Sequence, residues 1–84
     1  MSMPVQFSGR PRHNITVDLV RCRNAYDIYN RVTERMRAER VSEVECARYF
    51  GAYIQTALQH GSDDDEGFAA MLTMTRHWVN VWHR

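Results

Sequence analysis

The chain contains no lysine; all 11 of its basic residues are arginine. That excludes a Schiff-base or lysine-nucleophile mechanism. Every positive charge is instead a rigid, permanently charged fork suited to carboxylates, phosphates and aromatic faces, although a GC-rich coding sequence would leave the same bias. Two cysteines, Cys22 and Cys46, are too few for a secreted disulfide scaffold. The four glycines are scattered, so no glycine-rich loop is present to cradle a phosphate. No apolar run approaches the ~18 residues a membrane helix requires. Residues 1–12 lack the hydrophobic core of a signal peptide, which points to the cytosol and makes the sequon Asn14-Ile15-Thr16 a chance match. The formal charge of +1 excludes an acidic DNA mimic and a polybasic tail.

What is present fits one small domain of 84 residues and 9.9 kDa. Leucine occurs only at Leu19, Leu58 and Leu72, whereas five methionines and a full set of Phe, Tyr and Trp supply the apolar volume. The core is therefore expected to be built from aromatic plates and flexible methionines. Charge divides along the chain. Residues 1–40 carry net +4 and residues 41–84 carry net −3, so one half can face phosphates, a carboxylate-rich partner, or the other half of a second subunit.

Residues 1–13, with Pro4, Gly9 and Pro11 beside Arg10 and Arg12, read as an extended arm with a turn. Residues 14–20 admit two readings. Ile15, Val17 and Leu19 alternate with polar residues, the pattern of a half-buried strand, whereas Thr16 could instead cap a helix beginning at Val17. The density of β-branched residues favours the strand. A first helix is expected over 24–39, with Ala25, Ile28, Val32 and Met36 as its stripe and Tyr26 and Tyr29 widening it. Asp27–Arg31 and Glu34–Arg37 are its expected ion pairs. A second helix over 42–60 opens with the capping box Ser42/Glu45 and the hydrophobic staple Val41/Cys46, and closes at Gly61. Its polar residues fill a narrow sector, so it should be buried on most sides, lie at the centre of the fold and promote self-association. A third helix over 63–82 is capped by Ser62, with Phe68, Leu72, Val79 and Trp82 facing inward. The fold class is mostly α: a compact three-helix domain with a short N-terminal extended or strand arm.

Catalytic chemistry is thinly represented. Asp63, Asp64, Asp65 and Glu66 lack the ligand spacing of a calcium loop and are better explained as a helix start that meets orphan amides and the helix dipole. His13, His60, His77, His83, Cys22 and Cys46 do not match a zinc spacing. A cysteine or serine nucleophile would need a histidine base and an orienting group within a pocket of several hundred cubic ångströms, which a chain this small rarely builds. The reading is a non-enzyme with no cofactor and no metal.

The strand with outward Arg12, Asn14, Thr16 and Asp18, followed by two helices, resembles the ribbon-helix-helix repressor pattern over about residues 12–58, with the capped start at Ser42 matching that family's second helix. The resemblance implies a dimer whose paired strands lie in the major groove. Arg12, Asn14 and Thr16 would then read bases, with Arg10 on the adjoining arm. The chain departs from the pattern in the longer span from Leu19 to Ser42, in Asp18 beside the phosphates, and in lacking a proline-acid start to the first helix.

Tyr26, Tyr29, Tyr49, Tyr53, Trp78 and Trp82 are too many for one small core, so some are expected at a binding surface or at the edges of helix contacts. The leading expectation is a non-enzymatic protein-binding module, an inhibitor or regulator of the kind mobile elements encode, which occludes a host or partner protein. Its candidate surface is Tyr26, Tyr29, Arg31 and Arg35 with Trp78 and Trp82. The alternatives are the DNA-binding dimer and a subunit folded only within a larger assembly.

Overall fold

The computed structural model describes residues 11–82. Along them run β1 (Thr16–Asp18), α1 (Ala25–Ala38), α2 (Glu43–His60), α3 (Asp65–Thr75) and β2 (Asn80–Trp82). The fold is mostly α, with three mutually packed helices and a two-stranded sheet formed from the two ends of the described chain. Most of the expected N-terminal arm, including Arg10, lies outside the described residues, as does His83.

Within residues 14–20, Thr16–Asp18 form strand β1 and no residue is helical. Val17 and Leu19 are buried and Ile15 packs against the core from the same side, while Thr16 and Asp18 point outward. β1 pairs with β2 in parallel, Thr16 opposite Asn80 and Asp18 opposite Trp82. The pairing continues upstream, where the Arg12 and His13 amides donate to the carbonyls of His77 and Trp78 at 3.0 Å each.

This pairing corrects the expected third helix over 63–82. α3 ends at Thr75, and Val79 and Trp82 are not helical. The segment Trp78-Val79-Asn80-Val81-Trp82 is aromatic and β-branched, which suits a pleated surface, and β1 offers its backbone a ladder. Val79 still reaches the core, while Met71 and Thr75 complete the buried face of α3. The cap is also moved. Asp64, rather than Ser62, accepts the Gly67 amide at 2.8 Å and opens the helix.

α1 buries its expected stripe, Ala25, Ile28, Val32 and Met36, almost completely. Asn24 caps it by accepting the Asp27 amide at 2.8 Å. Its expected ion pairs are replaced: Asp27 meets Arg23, Arg31 donates to the Asp18 carbonyl, and Arg35 meets Glu39. The helix closes in a Schellman motif, with the Val41 amide bonded to the Met36 carbonyl at 2.9 Å and the Arg40 amide to that of Arg37 at 3.0 Å. Arg40 occupies the left-handed position at φ 64°. The short link turns α2 antiparallel to α1, bringing Tyr29 of α1 beside Tyr49 and Tyr53 of α2.

α2 packs against both other helices, but the expectation that it is buried on most sides is overturned. Only Cys46 and Tyr49 are fully buried, while Val44, Phe50, Ile54 and Leu58 remain exposed. Two apolar sectors share the helix, and two neighbouring helices cover one of them.

Glycine is required where α3 meets the end of α2. A Cβ on Gly67 would lie 2.3 Å from the Gly61 carbonyl oxygen, so Gly67→Ala must displace backbone and should cost about 2 kcal/mol or more. Arg40→Gly relieves a left-handed non-glycine residue and should stabilise the protein by about 1 kcal/mol. Chemical denaturation of both variants checks the two opposite signs.

Candidate functional site

Three regions collect the side chains that could do chemistry or bind. The first is a clasp at the N-terminus of α2. Ser42 accepts the Glu45 amide at 3.2 Å, which forms half of the expected capping box. The Glu45 carboxylate does not turn back to complete it. It receives both arms of the Arg12 fork at 3.0 Å each, and His13 Nε2 at 3.0 Å. Arg12 also lies over the Trp78 ring, 5.0 Å from its centroid, and His13 stacks on the same indole. A bidentate, charge-assisted pair over an aromatic face is the geometry that arginine is suited to. The hydrogen bonds from Arg12, more than that from His13, hold the Glu45 carboxyl below the ordinary carboxylate range against the opposing effect of desolvation. Glu45 in turn raises Arg12.

The second region is an aromatic stack that runs from the core to the surface. Tyr49 is fully buried, and its hydroxyl shares a 2.9 Å hydrogen bond with the buried Thr75. Trp78 meets Tyr49 edge-on at 5.6 Å, and Tyr29 stacks on its other side at 5.9 Å. Tyr29 continues to Tyr53 at 4.7 Å and to Phe50 at 5.5 Å. Burial drives the Tyr49 phenol well above its ordinary range, and pushes that of Tyr53 up as well. From Phe50 the apolar surface continues along α2 through Ile54 to Leu58, which is 83% exposed. Tyr26, 57% exposed on α1, lies near Tyr53 at the margin of this surface.

The third region is an open groove of about 390 Å³ beside β1 and α1, lined by Asp18, Arg21, Cys22, Arg23, Asp27 and Arg31 among others. There Asp27 pairs with Arg23, Arg31 donates to the Asp18 backbone carbonyl, and the Asp18 carboxylate accepts the Val20 amide. Burial, reinforced by Asp27, pushes the Cys22 thiol up, and burial does the same to Cys46. Neither is poised as a thiolate nucleophile. Among the described residues no cluster of His, Cys, Asp or Glu is placed to hold a metal ion, and no helix is long and apolar enough to cross a membrane.

The residues expected to form one protein-binding patch are distributed over these regions. Tyr26 and Tyr29 share the aromatic face with α2. Arg31 and Arg35 turn to β1, where they line a second groove with Thr16. Trp78 packs between Tyr49 and Arg12, so it reaches Tyr29 through the core rather than across the surface. Trp82 is exposed on β2 beside Asp18.

Of the strand-arm residues, Arg12 is held by Glu45. Asn14 accepts from the Asn80 amide at 3.1 Å, and Thr16 is exposed on β1. Arg10 lies outside the described residues. The partner of β1 is β2 of the same chain, in parallel, unlike the ribbon-helix-helix pattern of strands paired between subunits.

Sequence reasoning missed Glu45 as the anchor of the arm, because its spacing from Ser42 already had a local explanation. It also missed the open face of Val44, Phe50, Ile54 and Leu58. The only signal available was that the apolar arc of this helix is too wide for two neighbours to cover.

Glu45→Gln should lower the melting temperature near neutral pH and flatten its acid side. A carboxyl held low in the folded state contributes fully above its unfolded pKa, and that contribution is lost as pH falls through the folded value. Tyr49→Phe should cost about 1 kcal/mol by leaving the Thr75 hydroxyl unpaired. It should also lose less stability at alkaline pH, because a phenol raised by folding contributes below its unfolded pKa and loses that contribution as pH rises past it. Melting curves across the acid and alkaline ranges check both variants. No protein family matches the chain, and no characterised protein or solved structure shows a significant likeness to it.

Proposed function

We propose that the chain is a small non-enzymatic protein-binding module, a regulator or inhibitor that works by covering a surface rather than by chemistry. The observation that carries this reading is the open apolar face of α2, where Val44, Phe50, Ile54 and Leu58 remain in solvent on a rigid helix. Single exposed apolar residues are ordinary, but several on one helix face beside exposed Tyr26 form the contiguous patch that marks interaction sites. Aromatic side chains held by a stack lose little entropy on binding, which favours Phe50 and Tyr29 as anchors. The two raised thiols favour no nucleophilic alternative.

The reading also separates this face from the strand arm. Engaging a phosphate with Arg12 would require breaking its fork to Glu45 and its packing on Trp78. Anisotropy of a mixed-sequence DNA duplex, titrated at about 50 and about 200 mM salt, should therefore stay flat. Micromolar binding that collapses at the higher salt would replace the present reading with the DNA-binding one.

The direct test uses a photo-crosslinking amino acid at Leu58 or, as a control, at the exposed Thr16 on β1. Irradiation in the protein's native cells should yield a discrete protein adduct from position 58 and none from position 16. Equal labelling from both positions, or none from position 58, would remove the face from consideration.

A further inference from the structure

We infer that the open face of α2 is closed by a second copy of this chain, packed antiparallel about a twofold axis near Gly51. The inference rests on the reading of that face as a docking site and names its occupant when no target protein is engaged. On the helix, Ala47, Phe50, Gly51, Ile54 and Leu58 recur at the spacing of one stripe, with Val44 at its edge. Gly51 stands near the midpoint of α2, and nothing in its own chain lies within 4 Å of where its Cβ would be. A second helix can therefore approach closely at the crossing. Antiparallel docking there sets Val44 against Leu58 of the second copy and Phe50 near its Ile54, a self-complementary match of the kind a twofold interface requires.

Charge selects the same arrangement. Because α1 runs antiparallel to α2, Arg37 lies beside Glu43 and Ala47, at the N-terminal end of the face, with Arg40 in the adjoining turn. Asp63 lies near Tyr53 at the other end, followed by Asp65. Among the described residues Arg37, Arg40, Asp63 and Asp65 make no ion pair. Exposed Glu43 offsets one of the two arginines and leaves that end weakly positive, so an antiparallel twofold brings a net-positive end to a net-negative one, twice over, whereas a parallel pair would set like against like.

The size is sufficient. α2 has 18 residues, a length of ~27 Å, and α1 flanks its face through Tyr29 and Arg37, which share a groove with Ala47 and Phe50, so the face is two helices or ~20 Å wide. Such a face buries roughly 1,000 Å² over both copies, the lower bound for a specific interface.

Sedimentation equilibrium of the full chain tests the inference, with circular dichroism confirming that each variant is folded. The wild type should be a dimer at micromolar concentration. Leu58→Arg, at a site too exposed to matter for folding, should raise the dissociation constant at least about 100-fold, because the change counts twice in a twofold. Arg37→Asp and Asp63→Arg should each weaken the dimer about 5-fold, and the double variant should restore it. A dimer indifferent to all of these changes, or one weakened without rescue in the double variant, overturns the antiparallel arrangement. A monomeric wild type overturns the inference altogether, and crosslinking at Leu58 then separates the two readings. A single adduct with a different protein leaves the face as a docking site with another occupant, whereas no adduct removes both.

Discussion

The fold depends on the burial of one phenol. Tyr49 comes from α2, stacks on Tyr29 of α1, meets Trp78 edge-on in the turn before β2, and closes its hydrogen bond with Thr75 of α3. A chain with three leucines has few aliphatic residues with which to fill such a junction. An aromatic plate with one satisfied polar atom does so, and it also fixes orientation, because rings prefer stacked or edge-on approaches to arbitrary ones. Through Trp78 the constraint extends to Arg12 and His13, and through those to Glu45, the third residue of the helix that carries Tyr49. The aromatic core and the arginine clasp thus form one closed circuit around the N-terminal half of α2.

That circuit explains why α2 has two apolar sides. One side is used by Cys46 and Tyr49 within the circuit, with Tyr53 on its margin. The opposite side has no counterpart, since β1 and β2 lie elsewhere and the chain provides no fourth helix among its described residues. Natural monomers seldom leave such a helix face bare, so it is the part of the surface where a partner is most needed. The arginine-rich half of the chain is partly spent on internal contacts: Arg12, Arg23, Arg31 and Arg35 all bond within the chain.

Much of the architecture was legible in the residues, for identifiable reasons. The α1 stripe of Ala25, Ile28, Val32 and Met36 has a clean helical period, and the start at Ser42 follows from local hydrogen bonding. The strand at Thr16–Asp18 alternates as half-buried strands do. Other features depend on contacts distant in sequence. Asn80–Trp82 forms a strand because residues 16–18 lie alongside it, and helical periodicity carried past Thr75 gave no warning. Glu45 serves Arg12, 33 residues away, although a capping box explained it well. The candidate site was legible only in its ingredients, Tyr, Trp and Arg. Tyr26 and Trp82 stayed exposed, whereas Tyr29 and Trp78 went to the core junction, because amphipathic side chains suit either place and a pattern in one chain does not say which sector its neighbours will cover.

The parallel pairing of β1 with β2 has a kinetic consequence. Thr16 meets Asn80 only after the whole helical region has been traversed, so the sheet closes the longest loop in the domain and carries its largest closure entropy. The helical hairpin of α1 and α2 involves short separations and can form early. The sheet and its clasp would then be the last elements in place, and until they close Tyr49 lacks its Trp78 edge and Val17, Leu19 and Val79 stay in water.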